Sequence, residues 1–212
     1  MPSATHWLLF AGSALLMAVT PGPNMIYLIS RALCQGRKAG VLSWLGVVLG
    51  FGLHMVCAAL GLTALFLAVP LGYEVLKFAG GLYLLWLAWQ ALRPGARSPF
   101  EPRPMAMERP ARLFAMGLLT SVLNPKVAMF YLSVLPQFVV AKDGAVLAQS
   151  LMLGATQVGI GASVNLAVTL FAAGMVRWFA RHRVWLAVQR HLMGVVLGAL
   201  AIRLISQQRS AA

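Results

Sequence analysis

Two clusters of helix-breaking residues sit inside apolar runs of this chain, Thr20-Pro21-Gly22-Pro23-Asn24 and Leu123-Asn124-Pro125-Lys126. They constrain the fold more than any other feature, because proline removes an amide donor and blocks the carbonyl one turn back. A shift of 104 positions lays Pro21 on Pro125. The same shift lays Leu9, Phe10 and Ala11 on Leu113, Phe114 and Ala115, and Met25, Tyr27 and Leu28 on Met129, Tyr131 and Leu132. Broken apolar segments in corresponding places of two halves point to a small-molecule site near the middle of a membrane.

The composition supports a bilayer as the solvent. Of 212 residues, 60% are hydrophobic and 10% charged, with a mean hydropathy of +0.82. A soluble domain averages about 45–50% apolar and about 25% charged. Six apolar spans are expected, at roughly 6–30, 40–68, 72–92, 112–139, 145–176 and 186–205, several of them above the roughly 20 residues a crossing helix needs. The runs are continuous rather than alternating, which disfavours a transmembrane barrel. The expected fold is an all-α polytopic membrane protein.

The net charge is +13, from 17 Lys and Arg against 4 Asp and Glu. The bases lie between apolar spans, so they speak for topology and against nucleic-acid binding. Arg31, Arg37, Lys38, Arg93, Arg97, Arg103, Arg109, Arg112, Arg177, Arg181 and Arg183 fall in alternate connections, which places those on the cytoplasmic side. Both termini then lie outside. Each half has three spans, so any repeat is of the inverted kind. The expected organisation is 1–92 as a first three-helix repeat, 93–111 as a cytoplasmic linker and 112–212 as a second repeat. Gly81, Leu84, Leu87 and Ala88 match Gly194, Leu197, Leu200 and Ala201 more weakly. Cys34 and Cys57 suggest neither a disulfide framework nor a metal pair, and Met1–Thr5 lacks the basic region of a cleavable signal.

Each break has a definite chemistry. The half-helix after it presents free N–H groups and a partial positive charge, and the half-helix before it presents free carbonyls. Together they form an anion site beside a cation site, which suits a zwitterionic amino acid. A plain packing kink is the alternative, weakened by the pairing of the breaks and by the polar residues they carry: Thr20, Asn24, Asn124 and Lys126. Backbone freed in hydrocarbon is tolerated only when buried in protein or lining a wet cavity. An ammonium at depth costs about 2.5–3.5 kcal/mol on insertion scales, so Lys126 is a candidate partner for a substrate carboxylate, with snorkelling to the outer surface as the alternative. The candidate substrate residues are Thr20, Pro21, Gly22, Pro23, Asn24, Asn124, Pro125 and Lys126, joined by Gln157 and Asn165, which lie eight apart on one face of the fifth span. Interhelical hydrogen bonding is the competing role for Gln157 and Asn165.

These residues resemble the LysE/RhtB amino-acid exporters. Pro21-Gly22-Pro23 looks like that family's PGP motif, and Gly46, Gly50 and His54 are similar to its glycine-spaced second span. Lys77-Phe78-Ala79-Gly80-Gly81-Leu82-Tyr83-Leu84 resembles its third-span signature. Asn124-Pro125-Lys126 with Leu135-Pro136-Gln137-Phe138 resembles its fourth. The resemblance covers about residues 6 to 205. It implies an inner-membrane exporter of amino acids or their derivatives, coupled to protons. Some relatives carry an acid just after the second-span glycines, where this chain has Phe51.

The four acids, Glu74, Glu101, Glu108 and Asp143, fall in connections or at span ends. No intramembrane carboxylate is expected, so a neutral amino acid suits the site better than a basic one. Its ammonium would meet carbonyls near Val19 and Leu123 and the Asn side chains. His54 and Lys126 are the coupling candidates, with helix packing as the plain role for His54. No cofactor or metal is expected. The expected partners are an amino acid, protons, the bilayer and, as an open option, further copies of the chain. Gly46 and Gly50, and Gly80 and Gly81, read as sites of close helix packing, and Trp44, Trp86, Trp89 and Trp178 as interfacial or lipid-facing. A membrane-embedded enzyme is the rival reading, but Gly161-Ala162-Ser163-Val164 lacks the closing glycine of a nucleophile motif and no acids cluster. A non-transporting assembly partner would leave the paired breaks unexplained.

Overall fold

The residues on either side of each proline cluster fold as two helices that meet at an angle. In a computed structural model, which describes residues 3–68, 106–140 and 144–181 and single positions between 78 and 202, α1 is Ala4–Val19 and α2 is Pro23–Gln35. α3 is Arg37–Ala68, α4 is Pro110–Val122 and α5 is Pro125–Ser133. A 3-10 turn follows at Leu135–Phe138, and α6 is Val146–Arg181. The first pair is bent by 49°, and Pro110–Val122 against Lys126–Phe138 by 44°. Proline opens α2, α4 and α5 at the first turn, where its missing N–H has no helical partner to lose.

Two of the expected spans are single helices, with Arg37–Gly61 and Val146–Ala172 long and apolar enough to cross a bilayer. Each bent pair supplies one more crossing if its two helices are taken as one span. The third and sixth expected spans, with Gly80 and Gly81, lie outside the described residues apart from single helical positions. So do Glu74, Glu101, Lys142, Asp143 and the linker as far as 105.

The basic stretch from Arg31 to Lys38 departs from its expected loop. α2 runs on to Gln35 and α3 starts at Arg37, leaving Gly36 alone between them with φ +88° and ψ 169°. Side-chain-bearing residues rarely adopt that conformation, so a one-residue reversal selects glycine. Arg31 is buried: it donates to the Ala106 carbonyl at 2.8 Å, and its guanidinium lies 5.5 Å from the Tyr27 ring centre. Gln35 donates to the Glu108 carbonyl and accepts from the Glu108 N–H. Residues 106–109 are thereby fastened to α2.

The distribution of polarity is that of a protein dissolved in lipid. Leu45, Leu49, Leu53, Val56 and Leu60 recur at helical spacing along the exposed side of α3. Ser43, Ser121, Gln149, Gln157 and Thr169 are buried. Because lipid is as apolar as leucine, close packing has to hold such helices together. Glycines provide it where α3 crosses α4. A Cβ at Gly46 would collide with the Phe114 carbonyl, and one at Gly117 with the Ser43 carbonyl. Gly50 faces the Ser121 side chain. Aromatic rings join the two halves: Phe10 of α1 lies 5.7 Å from Phe130 and 5.4 Å from Phe138 between centroids. Trp44, expected to be interfacial or lipid-facing, instead donates to the Ala162 carbonyl at 2.8 Å and ties α3 to α6. Trp86 and Trp89 are exposed, while the Trp178 side chain lies outside the described residues.

Candidate functional site

The two breaks face each other across one cavity. Thr20, Gly22, Asn24, Phe51, Asn124, Lys126, Gln157, Gly161 and Asn165 are among its lining residues, together with Met17 and Val127. Of the residues expected at the site, Pro21 and Pro23 are not among the described lining residues, and the Pro125 side chain lies outside the described residues. Pro23 and Pro125 open the helices that follow the breaks.

At the first break, α1 ends with Thr20 in an extended conformation. The Thr20 N–H and hydroxyl both donate to the Leu16 carbonyl, at 3.2 and 2.7 Å. The carbonyls of Met17 and Thr20 receive a different donor. Lys126, which stands in the first turn of α5, sends its ammonium across the cavity to both, at 2.9 and 2.5 Å. Its ammonium, expected as a partner for a substrate carboxylate, is thus held by backbone carbonyls of the other half. Across the break, Gly22 starts α2 with no side-chain cap. The first N–H groups of a helix need outside partners, and the Gly22 cap position supplies no side chain for them.

At the second break the helix ends are dressed differently. Asn124 caps α5, its side-chain oxygen accepting from the Lys126 N–H at 3.0 Å. The Ser121 carbonyl near the end of α4 accepts from the Asn124 N–H at 3.1 Å and lies 3.0 Å from Nε2 of His54. Asn24 of the first break donates to the Ser121 hydroxyl at 3.3 Å. Each break is therefore bound to the helix end that precedes the other. Lys126 reaches Met17 and Asn24 reaches Ser121, and Met17 and Ser121 are themselves 104 positions apart, the spacing of the prolines.

The aligned tyrosines behave alike. Tyr27 of α2 donates to the Leu113 carbonyl at 3.2 Å and lies 3.1 Å from the Ser43 hydroxyl of α3. Tyr131 of α5 donates to Gln157 Oε1 of α6 at 2.6 Å, with the Gly154 carbonyl 3.2 Å away. His54 stands outside the cavity lining, its ring parallel to that of Tyr131 at 6.3 Å.

Three buried polar atoms on cavity-lining residues lack a hydrogen-bond partner: Asn24 Oδ1, Asn165 Oδ1 and Gln157 Nε2. A buried orphan of this kind costs about 1–3 kcal/mol, so three around one space call for a polar occupant. Two are acceptors and one is a donor. None of the described lining residues is an acid. The residue that stands where some relatives have an acid, Phe51, is buried against Gly161. No cluster of metal-ligating side chains occurs among the described residues.

Sequence reasoning missed three contributors: the Met17 carbonyl, Ser121 and Tyr131. The 104-residue shift carried a signal for all of them, since it pairs Met17 with Ser121 and Tyr27 with Tyr131.

The sequence also matches known proteins. The family described as LysE type translocator matches residues 15–208. The chain is 29% identical over 172 residues to the homoserine/homoserine lactone efflux protein of Salmonella typhimurium, covering 81% of this chain and 82% of that protein. It is 26% identical over 194 residues to the leucine efflux protein of an Enterobacter species, covering 91% and 92%. An uncharacterized membrane protein of Vibrio cholerae is 30% identical over 174 residues, covering 81% and 83%. No solved structure matches.

Proposed function

The chain belongs to the LysE type translocator family, and from that premise we propose that it exports neutral amino acids or their derivatives across a bacterial inner membrane by proton antiport. Amino-acid efflux through a helical membrane protein is the general activity, which sets aside the enzyme reading. The relatives' names supply the substrate range, homoserine and its lactone on one side and leucine on the other. The observation that carries the preference for neutral substrates is that no acid stands among the described lining residues of the cavity between the breaks. A second ammonium or a guanidinium would enter there with no carboxylate to meet it, an unpaired charge in low dielectric.

In this reading the substrate carboxylate lies near the uncapped start of α2 and Lys126. Its ammonium is met by carbonyls of the first break and by Asn24 Oδ1 and Asn165 Oδ1. Thr20, Pro21, Gly22, Pro23, Asn124 and Pro125 shape the backbone around it, and Gln157 supplies a donor. The architecture we propose is six membrane helices in two inverted halves, 1–92 and 112–212, joined by a cytoplasmic linker at 93–111, with both termini periplasmic. Each break is bonded to the helix end before the other, at Met17 and Ser121, positions that correspond under the 104-residue shift, and this supports the two-fold relation. The coupling proton is carried by His54 or Lys126.

Efflux from vesicles loaded with labelled homoserine, leucine and lysine tests the proposal. Homoserine or leucine should leave at least tenfold faster than lysine, and faster still under an imposed proton gradient. Equal or preferential loss of lysine removes the substrate preference, and loss of none of the three removes the exporter.

A further inference from the structure

The carbonyls that close α1 make a natural cradle for an ammonium, and the cradle is full. Lys126 Nζ donates to Met17 and Thr20 at 2.9 and 2.5 Å, reaching there from the opposite half of the chain. Gly22 makes room for it: a Cβ at that position would stand 3.1 Å from Nζ and 3.3 Å from Cδ and Cε of the lysine. Two orphaned acceptors, Asn24 Oδ1 and Asn165 Oδ1, belong to residues lining the same cavity. The cavity has a volume of only about 20 Å³. That holds little more than one water, and no complete amino acid. Whatever binds here must first move lining groups, and Lys126 is the charged one among the described lining residues.

We propose that the Lys126 ammonium is a tethered stand-in for the substrate's own ammonium. Resting on the exporter reading, the inference is that an incoming amino acid displaces Lys126 from the carbonyls of Met17 and Thr20 and inserts its ammonium there. The displaced lysine then pairs with the incoming carboxylate. One ammonium replaces another, so the carbonyls are never left without a donor, and the lysine charge is never left without a partner. This exchange also selects substrate. A simple amine could take the cradle but would bring no carboxylate, stranding the lysine charge in a low-dielectric site. The protein therefore favours zwitterions over amines through a residue of its own.

The test uses the full chain in lipid nanodiscs and measures binding of labelled leucine and of n-propylammonium by equilibrium titration. The wild type should bind leucine and bind n-propylammonium poorly. Lys126→Ala should lose leucine binding at least tenfold and gain n-propylammonium binding at least tenfold. Lys126→Ser, which leaves the same space and keeps a polar group, should show the same inversion if the alanine variant proves unstable. Amine binding no tighter in either variant than in the wild type overturns the inference. Wild-type efflux is the separate control. Efflux with no gain of amine binding defeats the stand-in alone, and gain of amine binding without efflux defeats the exporter reading alone.

Discussion

The two breaks share a sequence logic but differ in what each leaves open. At the second, Asn124 caps the helix that follows, and the Ser121 carbonyl is engaged by the Asn124 N–H and His54. At the first, the helix that follows starts at Gly22 with no side-chain cap, and the carbonyls of Met17 and Thr20 before it are engaged by a long lysine side chain from the other half. A hydrogen bond from a side chain in the same turn is local and hard to displace. One from a long side chain across a cavity can be exchanged. The difference teaches that a repeated motif need not give repeated function. On the proposed reading, the first break receives the ligand, and the second holds shape and delivers Lys126.

The largest expected effect breaks this contrast outright. Lys126→Ala should reduce leucine or homoserine efflux more than a hundredfold with membrane insertion unchanged, as read by labelled efflux beside a membrane-fraction blot. Asn24→Leu comes next, removing a bond to Ser121 and an unpaired acceptor at once. Efflux should fall about ten- to a hundredfold, well beyond any loss of thermal stability in detergent. If stability falls as steeply as transport, Asn24 belongs with the shape-holding residues. Asn124→Ala should do the reverse, costing about 1 kcal/mol of stability as lost helix caps do, with efflux reduced only severalfold. Smallest is Ser121→Ala, which deletes one long side-chain bond and leaves the carbonyl that meets His54 in place. Efflux should fall no more than about threefold, and a larger loss would move Ser121 into the receiving side of the comparison. Phe51→Asp sharpens the contrast in another way: a carboxylate in the cavity should raise lysine efflux relative to leucine by at least tenfold in the same vesicle assay.

Much of this was legible because membrane helices follow simple physics. Apolar length and proline position foretell α3, α6 and both bends to within a few residues, since helix alone satisfies the backbone of a single segment in lipid. The 104-residue correspondence brought Thr20, Asn24, Asn124 and Lys126 to notice, and all four line one cavity. What stayed hidden is set by side-chain reach. Nothing in the sequence of Lys126 says that its ammonium will find the Met17 carbonyl, because that depends on how two bent helices cross. Arg31 was assigned to a loop on the strength of neighbouring bases, whereas the single residue Gly36 sufficed to turn the chain and left Arg31 within α2. The backbone contact between Gly46 and Phe114 was foreseeable from the glycine spacing as close packing, but its partner helix was not.

The one-residue reversal at Gly36 has a mechanical consequence. α2 is a thirteen-residue strut held between two articulations, the Thr20–Gly22 elbow at one end and Gly36 at the other. With no slack beyond Gly36, the strut cannot slide along α3. Its length is fastened as well, by Tyr27 to the Leu113 carbonyl and by Arg31 and Gln35 to the Ala106 and Glu108 carbonyls. The elbow whose carbonyls hold Lys126 is therefore joined by one short, tied rod to the basic turn at its far end.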